Sequence, residues 1–282
     1  MIVSGSDSQV LAAELAAVTG DRLARVEYER FPDGELKVRV PDPPTDRAVV
    51  VASTPTSDAH LELLQLQDAL REAGVDKIVT VLPYMGYARQ DRVFESGEPV
   101  SARAVARAIA TGTDRVLTVN PHEPAVTEFF DVPASVVDAA GQLAEPLPAD
   151  LERPVFVSPD EGAIDIAETV QAAYGRGEVD FFEKTRHSST EVEIEPSDAA
   201  VAGRDVVLTD DIIATGSTMS EAVAALRERD AAGVFVTCVH PMLASNAVLK
   251  LSAAGVDAIH GTDTLERAVS DVSAAPAIAD EL

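Results

Sequence analysis

The chain has 282 residues, 46% of them hydrophobic, and carries 48 Asp plus Glu against 22 Lys plus Arg, a net charge of −26. That length and apolar content allow two α/β domains with packed cores and exclude a disordered chain. So acidic a surface repels phosphate backbones and anionic lipid, which argues against nucleic-acid and membrane partners, while scarce lysine beside abundant acid suggests adaptation to high salt.

The N-terminal stretch MIVSGSDSQV has no basic run, and no apolar stretch approaches the length of a bilayer span, so a soluble, cytoplasmic protein is expected. In RFPDGE (30–35), Pro32-Asp33-Gly34 interrupts alternating residues and predicts a hairpin turn. AVVVA (48–52) reads as a strand and residues 58–74 as an amphipathic helix, with Leu61, Leu64 and the pair Leu63 and Leu70 on one face and Gly74 as its stop. A strand over 77–82, the loop YARQDR (87–92), a helix over 101–112 and a strand over 115–120 follow. The Pro-rich stretch 141–154 reads as a linker between domains 1–140 and 141–282. Beyond it come strand 155–158, a helix from about 162 to 174, a strand–polar–strand segment over 181–194, strand 206–209, a helix over 218–229, and strands 234–240 and 256–260. Cys238, the single cysteine, lies in the apolar run VFVTCV and is expected in the core.

Strands alternating with helices fold as right-handed βαβ units with a parallel sheet between helix layers, so the class is α/β. The halves also match each other: RAVVVAS (47–53) aligns with RDVVLTD (204–210), and AGVDKIVTVLPYM (73–85) with AAGVFVTCVHPM (231–242). Two tandem copies of one α/β unit fit this pattern.

The strongest chemical signal is VVLTDDIIATGSTMSEAVAALRE (206–228). A buried strand ends in Asp210-Asp211, and Thr215-Gly216-Ser217-Thr218 opens a helix at the sheet edge where ligands bind in such folds. Gly216 permits a tight turn, and the amides and hydroxyls of 215–218 converge on an anion at the helix N-terminus. The two carboxylates suit vicinal hydroxyls or a cation. A sugar phosphate satisfies both halves of the motif. The equivalent loop in the first half, STPTSDAH (53–60), lacks the Asp pair and the glycine. Arg89 and Arg92 follow a strand's carboxyl end, where guanidinium groups suit a polyphosphate or belong to a solvated loop. His122 follows one strand and Asp160 another, as structural side chains or as metal or phosphate ligands. Lys184 and Arg186 lie in 181–194, as a basic hairpin tip or as part of a mobile loop.

The stretch 206–218 resembles the phosphoribosyl-pyrophosphate signature shared by type I phosphoribosyltransferases and ribose-phosphate pyrophosphokinases. With RFPDGE, RQDR, NPHEP (120–124), SPDEG (158–162) and Lys184-x-Arg186 in order, the chain resembles the pyrophosphokinases. The resemblance implies two tandem type I phosphoribosyltransferase-like domains, each a mainly parallel sheet flanked by helices. The implied activity is transfer of the β,γ-pyrophosphoryl group of ATP to ribose 5-phosphate with Mg2+. Implied ribose 5-phosphate ligands are Arg186, Asp210, Asp211, Ala214, Thr215, Gly216, Ser217 and Thr218. Implied ATP ligands are Phe31, Asp33, Gly34, Glu35, Arg89, Gln90, Asp91, Arg92 and His122. His122 and Asp160 are the implied metal ligands, and Lys184 and Arg186 the catalytic pair. Homo-oligomers, dimers or stacked dimers, are expected, with the Phe31 hairpin completing a neighbour's ATP site. Two departures stand out: Asn120, where many relatives are acidic, and Ala214, where relatives are often more polar. The rival activities are a phosphoribosyltransferase, which has no use for a half carrying RFPDGE and RQDR, and a nucleotide-sensing, non-catalytic relative, which needs no Lys184-x-Arg186 loop.

Overall fold

Buried Val, Ile and Leu runs build the strands, as parallel sheets covered on both faces require. The computed structural model describes residues 1–41, 45–186, 192–196 and 200–282, without the side chains of 183–186 and 192–196. Two units emerge: Met1–Ala139 with Asp263–Glu266 and Ser273–Leu282, and Ala140–Thr262 with Arg267–Val272.

In chain order the first unit contributes β1 (Ile2–Ser4), α1 (Gln9–Thr19), the hairpin β2 (Glu27–Arg30) and β3 (Leu36–Arg39), β4 (Arg47–Val51), α2 (Ser57–Glu72), β5 (Lys77–Leu82), α3 (Ser101–Ala110), β6 (Arg115–Val119) and β7 (Ala134–Val137). The second contributes β8 (Val155–Ser158), α4 (Ile164–Tyr174), β9 (Glu178–Arg186), β10 (Val192–Pro196), β11 (Asp205–Ile212), α5 (Ser217–Glu228), β12 (Gly233–His240), α6 (Ala247–Ala254), β13 (Ala258–Thr262) and β14 (Ser270–Val272). A short α7 (Ala275–Ala279) ends the chain within the first unit.

Among the described residues, the first unit's main sheet has the order β1-β4-β5-β6-β7, every neighbouring pair parallel. The second has β10-β9-β8-β11-β12-β13-β14, with only β9 and β10 antiparallel. With its hairpin set aside, the second sheet repeats the first strand for strand. The segments that align in sequence, 47–53 with 204–210 and 73–85 with 231–242, take the same sheet positions. The hairpins occupy equivalent places in the two units but differ in use. Among the described residues β2 and β3 pair only with each other, whereas β9 joins β8 and extends the main sheet.

Three details differ from the sequence pattern. Leu61 is 47% exposed and Leu64 half-buried; of the expected face Leu63 and Leu70 do turn inward, joined by Leu66 at helical spacing and by Glu62 and Gln67. The helix stops as expected: Gly74 is left-handed (φ 84°), its amide bonds the Arg71 carbonyl, and that of Val75 bonds Leu70. Residues 141–154 are not a loose linker. Leu143, Leu147 and Leu151 are buried in the second unit, where the Tyr174 hydroxyl of α4 bonds the Pro148 carbonyl at 2.6 Å. Apolar side chains every fourth residue outweigh the prolines. The end of the chain, finally, belongs to the first unit, whereas the linker position alone had assigned all of 141–282 to the second.

That returning segment is tied down by polar groups. The Glu266 carboxylate accepts the Val10 amide at the start of α1 (2.6 Å), and Asp263 accepts Ser273 Oγ (2.6 Å) and the Ala274 amide (2.8 Å). Burial pushes the Asp263 carboxyl up to about 6, against the opposing pull of those bonds, with Glu14 adding repulsion. A carboxyl raised in the folded state contributes stability below its unfolded value, near 4, that is lost as pH rises through about 6. Relative to Asp263→Asn, the wild type should therefore lose about 2 kcal/mol between pH 4 and 6.5 and change little above. Urea unfolding of both proteins across that range checks this; a constant difference would assign the pH response elsewhere.

Candidate functional site

In the second unit, β11 outruns its counterpart β4 and carries Asp210 and Asp211 to the carboxyl edge of the sheet, where Ile212 lies abreast of His240 on β12. Each acid is pinned by the next amide: Asp211 N donates to Asp210 Oδ1 (2.9 Å) and Ile212 N to Asp211 Oδ1 (2.8 Å). Burial, and next the Asp211 carboxylate, hold the Asp210 carboxyl well above the ordinary range, with Asp160 adding in the same direction. Asp210 and Asp211 thus stand side by side at the end of β11, within the electrostatic reach of Asp160, and the pair suits hydroxyl donors. Burial likewise pushes the Cys238 thiol up, as expected of an inert core residue.

After Ile213 the chain turns through Gly216, left-handed at φ 71°, into α5. A Cβ on Gly216 would stand 3.1 Å from Ala247 Cβ and 3.2 Å from its carbonyl oxygen, so glycine is required for conformation and for space. No side chain caps α5 among the described residues; its first amides and the exposed Thr215, Ser217 and Thr218 lie at the positive end of the helix dipole. Ala214 contributes through its backbone, its carbonyl accepting the Ala244 amide at 2.8 Å. The structure therefore brings together Asp210, Asp211 and residues 214–218 of the predicted set. Lys184 and Arg186 lie at the end of β9, which runs beside β8; their side chains are outside the described residues.

In the first unit the positions aligned with Asp210 and Asp211 are Ser53 and Thr54, and both hydroxyls turn into the protein. Ser53 Oγ donates to the Thr264 carbonyl (2.6 Å) and Thr54 Oγ1 to that of Tyr84 (3.3 Å). Gly86 closes over Thr54, where a Cβ would meet the Thr54 carbonyl at 2.1 Å. The duplicate loop is built shut.

RFPDGE forms the predicted hairpin, the Phe31 amide bonding the Glu35 carbonyl and the Gly34 amide that of Phe31. Phe31 is 46% exposed. Arg30 at its base pairs with Asp58 (2.7 Å), and the adjacent Ser57 hydroxyl meets Tyr87 Oη at 3.1 Å, which links the hairpin to the 87–92 loop through the start of α2. Arg89 and Arg92 are exposed and Asp91 is half-buried. Gln90 anchors the loop, its side-chain oxygen accepting the Ser101 hydroxyl at the start of α3. His122 is exposed in the same unit, whereas Asp160 belongs to the second. Asn120 closes the ends of β6 and β7, donating to Asp138 (2.8 Å) and accepting the Ala139 amide (2.8 Å). At φ 32° it occupies backbone space that Asn tolerates better than most residues, a structural use that accounts for an amide here.

Paired parallel sheets, one with an acid pair and a glycine turn at its carboxyl edge and the other with that turn closed, define a duplicated phosphoribosyltransferase-type α/β protein. Residues 1–112 match the N-terminal domain of ribose phosphate pyrophosphokinase, and residues 125–259 the phosphoribosyl transferase domain. The ribose-phosphate pyrophosphokinase of Halobacterium salinarum is 67% identical over the full length of both chains. That of Methanosarcina mazei is 46% identical over all of this chain and 94% of its own. The crystal structure of phosphoribosylpyrophosphate synthetase from Mycobacterium smegmatis superposes with a TM-score of 0.85 at 30% identity, covering 100% of this chain and 96% of that one. The chain belongs to the ribose-phosphate pyrophosphokinase family. The Halobacterium relative also accords with the high-salt character of the composition.

Proposed function

We propose that the C1 hydroxyl of ribose 5-phosphate attacks the β-phosphorus of ATP on this chain. The bond from that phosphorus to the α,β-bridging oxygen breaks, AMP leaves with the oxygen, and the hydroxyl proton is released. Such transfer depends on positioning and charge neutralisation more than on covalent help from the protein. The observation that carries this reading is the loop from Asp210 to Thr218, which offers carboxylates to the ribose hydroxyls and amides and hydroxyls to the 5-phosphate.

Phe31, Asp33, Gly34 and Glu35 would hold adenine and ribose, the exposed Phe31 stacking in a homo-oligomer on a neighbour's nucleotide. Arg89, Gln90, Asp91, Arg92 and His122 would receive the phosphates. Lys184 and Arg186 would stabilise charge on the migrating group, with Arg186 also reaching the sugar phosphate. Among the described residues no group of three or more His, Cys, Asp or Glu is disposed as a closed metal cage. Magnesium keeps several waters and binds through one or two protein ligands plus substrate phosphates. His122 and Asp160 would hold it, and when bound it would neutralise the ATP phosphates. No helix among the described residues is long and apolar enough to cross a membrane, in keeping with a cytoplasmic enzyme.

The test is AMP release from ATP plus ribose 5-phosphate in molar potassium chloride with magnesium. AMP formed one for one with phosphoribosyl pyrophosphate is expected. Nucleotide binding without AMP, or consumption of phosphoribosyl pyrophosphate with a base, would replace the proposal by one of its rivals.

A further inference from the structure

The chain has only four lysines, at 37, 77, 184 and 250, within a net charge of −26. Lys250 reaches from α6 to the glycine turn, where its ammonium donates to Ser217 Oγ at 2.7 Å and to the Thr215 carbonyl at 3.2 Å. Among the described residues it has no carboxylate partner at ion-pair distance. Its helix braces the same turn: Ala247 lies against Gly216, the Leu243 amide bonds the Ile213 carbonyl (2.9 Å), and the Ala244 amide bonds that of Ala214 (2.8 Å).

We propose that Lys250 is a positioning residue that sets the affinity of this loop for the 5-phosphate, an inference that rests on the 210–218 loop being the ribose 5-phosphate site. An ammonium can only donate, so the Ser217 oxygen is its acceptor and the Ser217 hydroxyl hydrogen must point elsewhere, toward the open side of the turn. Occupying the Thr215 carbonyl keeps that oxygen's lone pairs from opposing an incoming anion. The positive charge also offsets the field of an acidic protein that otherwise repels a phosphate dianion. Without Lys250 the turn keeps its backbone path, held by the 243–247 segment, but loses the oriented hydroxyl and the charge.

Calorimetric titration of ribose 5-phosphate, in molar potassium chloride with magnesium, into the wild type, Lys250→Met and Lys250→Arg tests this, beside KM values for both substrates and thermal unfolding. A charge-assisted contact of this kind corresponds to roughly a tenfold change. The expected result is a tenfold weaker sugar phosphate affinity for Lys250→Met, recovery to within twofold for Lys250→Arg, and an unchanged KM for ATP. If Lys250→Met loses its fold, Lys250→Gln carries the same expectation. A Met variant that binds like the wild type, an equal rise in both KM values, or no recovery with Arg would overturn the role of Lys250. Failure of the wild type itself to bind the sugar phosphate would instead overturn the assignment of the loop.

Discussion

Replacing Lys184 or Arg186 by Ala should lower turnover by about a hundredfold or more while ribose 5-phosphate binding survives. Negative charge redistributes over the migrating group and its flanking oxygens during transfer, and fixed cations aimed at that charge act more strongly on the transition state than on bound substrates. A hundredfold corresponds to about 2.7 kcal/mol, in the range of one well-placed charged donor. The backbone supports this placement: β9 lies parallel to β8 with Phe181 abreast of Ser158, so residues 184 and 186 lie a few residues beyond the edge from which Asp160 follows. For Lys184→Ala, lost turnover with an unchanged calorimetric affinity for the sugar phosphate is the signature sought; Arg186→Ala, which also removes a contact to the sugar phosphate, should lose turnover with some loss of that affinity as well. Near-normal AMP release in either variant would take that residue out of the chemistry.

Gly216→Val should cost at least a hundredfold in kcat/KM for ribose 5-phosphate while leaving nucleotide binding in place. Two penalties coincide. A β-branched residue at φ 71° is strained by about 1–3 kcal/mol, and its Cβ would press on Ala247 Cβ at 3.1 Å and Cα at 3.2 Å. Relief requires moving either the turn, which misaligns the amides of 217 and 218, or α6, which withdraws Lys250 from Ser217. Either movement harms the anion site, whereas the first unit's loops are not involved. Equilibrium binding of a nucleotide analogue alongside steady-state kinetics separates these effects. Retained kcat/KM would mean that the turn does not grip the phosphate.

Much of this was legible in sequence because the signals are local. The strand, the acid pair and the glycine turn are consecutive from 206 to 218, and hydrophobic period and turn chemistry identify them without knowledge of neighbours. The duplication was legible too, since equivalent strands retain alignable apolar runs. The inward face of α2 was less so: Leu61, Leu63, Leu64, Leu66 and Leu70 offer more than one apolar stripe, and which one is buried depends on what packs against it. Prolines misled over 141–154, where three leucines found a surface that the segment itself does not contain.

By itself, the sequence determined the α/β class, the tandem repeat, the RFPDGE hairpin and the chemical character of the 210–218 loop, because each is written in residues a few positions apart. Only the tertiary structure decided that Lys250 reaches a hydroxyl 33 residues away, that Ser53 is sealed by a carbonyl 211 residues away, and that the last residues return to the first unit. Contacts of that range arise when the sheets close and helices are laid over their edges. A single chain carries no local pattern for them, since the partner is selected by the packing of the intervening fold.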